Sequence, residues 1–129
     1  MTNTQKALAL INTFTNGDTK QAENLLAANY IQHNLAYGTG REAFVGSVDY
    51  LASAPVKTTV KNVRAFAATV HQVLAQGNFV LAVSEGTFGG VPTAYYDLWR
   101  VENGKIAEHW DVMETIADKS TWQNQNGKF

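Results

Sequence analysis

His109 and Asp111 stand two residues apart in the segment Glu108-His109-Trp110-Asp111-Val112. In an extended strand, side chains two apart share a face with Cα atoms roughly 7 Å apart, so the imidazole and the carboxylate can share a hydrogen bond or approach one ligand. That is the geometry general acid–base chemistry needs. Strict alternation puts Ala107 and Met113 on the same face, and Ile106, Glu108, Trp110 and Val112 on the other. The same spacing also suits a solvent-facing His/Asp pair on an ordinary sheet.

Other candidates are more scattered. His33 sits in the hydrogen-bond-rich run Tyr30-Ile31-Gln32-His33-Asn34, where it could point into a pocket mouth or satisfy loose backbone groups at a helix end. Asp97 interrupts the aromatic run Tyr95-Tyr96-Asp97-Leu98-Trp99, and a carboxylate there is costly unless exposed, paired or used. Glu85 interrupts Val80 to Phe88 beside Gly86, either as a third pocket carboxylate or on an edge or outer face. His71 reads as an exposed or hydrogen-bonded strand histidine. The three histidines lack close ligand spacing such as His-Glu-x-x-His, so no metal is expected. The absence of cysteine removes disulfides, thiol nucleophiles and thiolate metal sites. Gly86-Thr87-Phe88-Gly89-Gly90 lacks both the phosphate-loop pattern and a following helix, and no Gly-x-Ser-x-Gly elbow is present. Any chemistry must then use histidine, carboxylates, hydroxyls or a bound ligand.

The chain that must position these groups has 129 residues, 45% of them hydrophobic, with ten basic residues against eleven acidic ones. A chain of this length supports one core, so a single domain over residues 1–129 is expected. Near-zero charge without a basic patch argues against nucleic acid as a partner. The apolar runs are too short to cross a bilayer, and the polar start Met1-Thr2-Asn3-Thr4 lacks a signal peptide's regions, so a cytoplasmic protein with no membrane partner is expected.

Helices come first. Thr2 and Gln5 form a capping-box candidate before Ala7, Leu8, Leu10, Ile11 and Phe14, and that pattern stops at Asn16-Gly17. Asp18 and Gln21 suggest a second cap, with Ala22, Leu25 and Leu26 as the apolar stripe, and the two helices should pack as a hairpin. After an extended piece at Tyr30 to Asn34, Thr39 and Glu42 predict a third capped helix carrying Phe44, Val45, Val48, Leu51 and Ala52, which Pro55 ends. The period then changes to that of strands, expected at Val56 to Ala67, Val70 to Gln76, Phe79 to Phe88, Thr93 to Glu102 and Lys105 to Glu114. Gly77-Asn78 and Asn103-Gly104 suit two-residue hairpins, and Gly89-Gly90-Val91-Pro92 a longer turn. Helices followed by strands predict an α+β fold with helices on one face of a curved antiparallel sheet. Trp122 and Phe129 are candidates to tie down the polar tail from Ala117.

The run from Asp97 to Val112, with Asp97-Leu98-Trp99-Arg100-Val101-Glu102-Asn103-Gly104 leading into Lys105-Ile106-Ala107-Glu108-His109-Trp110-Asp111-Val112, resembles the closing hairpin of SnoaL-like proteins in the nuclear transport factor two-like superfamily. Tyr30 to Asn34 resembles the family's segment after its second helix, and the order of elements fits from about residue 5 to residue 115. The resemblance implies a cone in which three helices and a strongly curved antiparallel sheet enclose an apolar pocket, often in a homodimer formed through the sheet's outer face. Family members include polyketide cyclases that perform an intramolecular aldol closure, ketosteroid isomerases, epoxide hydrolases, dehydratases and many proteins without known activity, so the hairpin identifies a family and not a reaction.

In SnoaL-type cyclases the acid–base carboxylate lies on the final strand, and the matching position is Asp111, with His109 on the same face. His33 matches a position that commonly faces the cavity. The resulting expectation is a cofactor-independent acid–base enzyme, of aldol cyclase or isomerase type, acting on a small apolar carbonyl compound. In it Asp111 takes a proton α to the carbonyl and His109 or His33 supports the enolate, with Asp97, Tyr30 and Glu85 as substrate contacts. The alternatives are a noncatalytic carrier or sensor using the same cavity, and a dimerisation module.

Overall fold

Local signals set the first two helices. In a computed structural model of the chain, which describes residues 1–53 and 66–129, helix α1 (Asn3–Asn16) starts on the capping box: Thr2 Oγ1 accepts from the Gln5 backbone N–H at 3.1 Å and Gln5 Oε1 accepts from the Thr2 N–H at 2.8 Å. It stops at Gly17, whose φ of 70° lets its N–H bond back to the Thr13 carbonyl. Helix α2 (Thr19–Leu25) is capped by Asp18, which accepts from the Gln21 N–H at 3.0 Å. The two helices contact each other, as expected. Leu26 departs from the expected stripe: it is already extended, and it opens strand β1 (Leu26–Gln32).

Helix α3 (Arg41–Ser53) follows. Thr39 does not cap it. Its hydroxyl instead donates to the Tyr30 carbonyl and accepts from the Gln32 N–H, both at 3.1 Å, and so ties the loop after β1 back onto the strand. Pro55 and most of the strand expected from Val56 lie outside the described residues. Phe66 and Ala67, which are described, run on into the next expected strand, so that β2 (Phe66–Gln76) is continuous.

Strands β3 (Phe79–Phe88), β4 (Val91–Glu102) and β5 (Lys105–Thr115) complete a curved sheet of order β1-β5-β4-β3-β2. The strands from β2 to β5 form the expected antiparallel meander, and β1 adds a parallel edge beside β5. Asn103 and Gly104 both take positive φ, 51° and 75°, as a tight two-residue hairpin requires. Gly89 and Gly90 alone make the turn between β3 and β4, since Val91 and Pro92 already pair with Phe88 and Thr87.

The inward sheet face and the helices share one core. Leu10 of α1, Ala22 of α2, Tyr30 of β1, Val48 of α3, Val80 of β3 and Trp99 of β4 are all buried in it. Ile106 joins them, contrary to strict alternation, because the pairing shifts between Val101↔Ile106 and Arg100↔Glu108. Ala107 is the extra residue of a β-bulge, and beyond it His109, Asp111 and Met113 point inward opposite Trp99, Asp97 and Tyr95.

The outward face carries apolar rows across the strands. Leu74, Leu81, Leu98 and Trp110 pair in sequence, and Val83, Tyr96 and Val112 form a second row. The tail returns to this side of the sheet, where Phe129 stacks on His71 with ring centroids 4.4 Å apart and Lys128 pairs with Glu114 at 2.8 Å. Trp122 ties to its own segment, donating from Nε1 to the Ala117 carbonyl. Among the described residues no helix is long and apolar enough to cross a membrane.

Candidate functional site

Between α1, α3 and the inward sheet face lies a cavity of about 60 Å³. Its helical side is apolar, with Ile11 and Phe14 from α1 and Phe44 and Leu51 from α3. Its sheet side sets a polar cluster among Phe88, Trp99 and Met113. Asp97 from β4 and His109 and Asp111 from β5 meet there, joined by Gln32 at the end of β1 and Asn34 in the following loop.

These groups are hydrogen-bonded to one another. His109 Nε2 lies 2.8 Å from Asp97 Oδ1, and Nδ1 lies 2.9 Å from Gln32 Oε1. Asn34 Nδ2 donates to Asp111 Oδ2 at 2.8 Å. The His109 ring stacks on Trp99, with centroids 3.9 Å apart and planes at 22°, which fixes the imidazole plane. Gln32 Nε2 donates to the Tyr30 hydroxyl at 2.9 Å. The His109 and Asp97 side chains are only 6% and 14% exposed, so their interaction is poorly screened by water.

The electrostatics follow from that burial. Desolvation raises the Asp97 carboxyl above the ordinary range; the hydrogen bond and charge of His109 draw it back, and the neighbouring Asp111 pushes it up again. Burial, with Asp111 as the next cause, raises the Tyr30 and Tyr37 hydroxyls. Burial likewise raises that of Tyr95, which donates to the Thr87 carbonyl at 2.7 Å. Ligand atoms of Asp97, His109 and Asp111 all lie within 4.8 Å of one another. Since Nε2 and Oδ1 already bond to each other, a cation would have to displace that hydrogen bond. The arrangement is that of a proton-sharing imidazole–carboxylate pair beside a second carboxylate.

The SnoaL-like domain profile matches residues 7–109, most of the chain. The chain belongs to the SnoaL-like family. No curated protein matches the sequence significantly. Solved structures do resemble this SnoaL-like domain. An NTF2-like (nuclear transport factor two-like) protein of unknown function from Cytophaga hutchinsonii superposes with a TM-score of 0.72 at 17% identity, over 88% of this chain and 91% of that one. A candidate ketosteroid isomerase from Kribbella flavida gives 0.74 at 14%, over 98% and 91%. A candidate polyketide cyclase from Streptomyces antibioticus gives 0.64 at 20%, over 88% and 93%. At these identities the likeness establishes the fold.

Within the SnoaL-like cone, the sequence candidates separate. His109, Asp111 and Asp97 come together at the cavity. His33 does not join them: its ring stacks on Trp110 at 4.9 Å and bonds to Glu108 at 2.7 Å, on the outward side of β5. That contact and Arg100 hold the Glu108 carboxyl below the usual range. Tyr30 is buried in the core and does not line the cavity itself; its hydroxyl accepts from the wall residue Gln32. Glu85 pairs with His71 at 2.8 Å on the outward face, opposite in phase to the inward Ser84 and Phe88, and does not line the cavity. Gln32 and Asn34 take the places expected of His33. Alternation along residues 30–34 already puts Tyr30, Gln32 and Asn34 on one side and His33 on the other.

Proposed function

We propose that this SnoaL-like protein is a cofactor-independent acid–base enzyme of cyclase or isomerase type, acting on a small, mostly apolar carbonyl compound. The observation that carries the proposal is the convergence of Asp111 and the Asp97–His109 pair in a cavity whose helical side is mostly apolar. The apolar side suits a hydrocarbon body, and the polar side suits a single carbonyl end.

In this reading Asp111 is the base. Asn34 occupies its Oδ2, and its other oxygen has no hydrogen-bond partner among the described residues. That oxygen takes a proton from the carbon α to the carbonyl; the C–H electron pair forms the C=C bond and the carbonyl π pair moves onto oxygen. The proton shared by Asp97 and His109 passes to that oxygen, giving a neutral enol, a protonated Asp111 and a pair short of one proton. In an isomerisation Asp111 returns its proton to a different carbon and the enol proton goes back to the pair. In an aldol closure the enol carbon attacks a second carbonyl, Asp111 protonates the new alkoxide, and the enol proton again returns to the pair.

The test is α-proton exchange in D₂O, followed by ¹H NMR over a panel of small 1,3-diketones and cyclic ketones. The wild-type protein should accelerate exchange, and Asp111→Asn should lose about 10²–10⁴-fold of it while keeping the wild-type circular dichroism. Equal exchange by the variant would remove Asp111 as the base. Compounds that raise the melting temperature yet never exchange would favour the carrier reading. The outward apolar rows further support pairing of two copies through that face.

A further inference from the structure

The Gln32 amide is held at three points. Its oxygen accepts from the Asn34 backbone N–H at 3.0 Å and faces His109 Nδ1 at 2.9 Å, while its nitrogen donates to the Tyr30 hydroxyl at 2.9 Å. A backbone N–H can only donate, so the oxygen end must face it; turning the amide over would set N–H against N–H. An amide oxygen can only accept, so the ring nitrogen beside it must carry a hydrogen. Asn34 is oriented in the same way. Its Oδ1 accepts from the Ala36 N–H at 3.0 Å, which turns its NH₂ toward Asp111.

We infer that Gln32 is a positioning residue that holds His109 in the form protonated on Nδ1, so that every proton exchanged between His109 and Asp97 passes through Nε2. One acceptor then faces each ring nitrogen, and the pair has one shared proton to give or take. The groups facing this ring are Asp97 from β4, Asp111 from β5 and, behind Gln32, Tyr30 from β1, with Tyr37 and Tyr95 beside the carboxylates. Helices α1 and α3 contribute only uncharged residues to the described wall. The consequence for turnover rests on the acid–base reading above; the protonation pattern does not.

The test is ¹⁵N NMR of the full chain carrying ring-labelled histidine, without ligand, across a pH series, with the His109 signals assigned by their loss in His109→Gln. Nδ1 should stay protonated throughout in the wild type. In Gln32→Leu it should become the nitrogen that gives up its proton, because Asp97 keeps Nε2–H. Gln32→Glu, which restores an acceptor, should return the wild-type pattern. A bare Nδ1 in the wild type, or an unchanged pattern in Gln32→Leu, would overturn the inference. Should Gln32→Leu not fold, the wild-type spectrum and Gln32→Glu still decide it. Where exchange activity is measurable, Gln32→Leu should lower kcat about tenfold or more with a shifted pH profile and little change in KM, rescued by Gln32→Glu. If no ketone exchanges yet the ring pattern holds, the acid–base reading falls and the role of Gln32 in setting the tautomer stands.

Discussion

Asp97 shows at the level of one residue what burying a carboxyl costs the fold. Its folded-state pKa is raised, so the native state holds this proton more tightly than the unfolded chain does. Below the unfolded carboxyl value of about 3.9 the group is protonated in both states and contributes nothing. As pH rises through the folded value, the buried carboxylate destabilises the native state. Asp97→Asn can turn its NH₂ toward a bare His109 Nε2 and removes that charge, so its melting temperature at pH 7 should exceed that of the wild type, with the gap closing in acid, while exchange activity is lost. A variant that melts lower than wild type at pH 7 would mean that the charged hydrogen bond to His109 outweighs the burial of Asp97. Differential scanning fluorimetry over a pH series makes the comparison.

At the scale of the element, the one-residue bulge in β5 decides which side chains reach the cavity. The Asn103-Gly104 turn sets Glu102 opposite Lys105, leaving only Lys105 and Ile106 before the bulge. With Ile106 inward, an unbroken strand would turn Glu108 and Trp110 toward the core and His109 and Asp111 outward. Ala107 absorbs the mismatch, so that an apolar anchor and the polar wall point the same way. Deleting Ala107 should therefore leave Val101 opposite Ile106 and Arg100 opposite Glu108 in a regular ladder, with Ile106 and His109 still inward and Glu108 still outward. We expect a cooperative transition in urea melts with a loss of no more than about 3 kcal/mol, from the missing bulge and the buried Ala107 side chain. Loss of the cooperative transition would show that the strand cannot take up the regular register.

For the molecule as a whole, the outward sheet face carries exposed apolar rows. Leu74 and Val112 are 63% and 67% exposed there, and Tyr96 stands between Val83 and Val112 on the second apolar row. Two copies joined through this face would cover both rows and leave each cavity on the far side of its sheet. Light scattering of the purified chain should give a dimer mass, and Tyr96→Glu with Val112→Glu should give a monomer that keeps its circular dichroism. A monomeric wild type would remove this face as a self-association surface.

Features that depend on near neighbours could be read directly from the chain. The Thr2/Gln5 and Asp18/Gln21 caps and the Asn103-Gly104 turn involve residues at most three apart, and the shared face of His109 and Asp111 needs only the two-residue period of a strand. The resemblance of the closing hairpin pointed to the same family that the domain match shows. The partners of those side chains were another matter. Gln32 meets His109 across 77 residues and His33 meets Glu108 across 75, and both contacts depend on β1 lying parallel beside β5. No local signal encodes that pairing, because a parallel edge strand takes its register from the packing of the helices and sheet between the two segments. The bulge at Ala107 was hidden for the same reason: its phase shift is enforced by Ile106 entering a core built from distant parts of the chain.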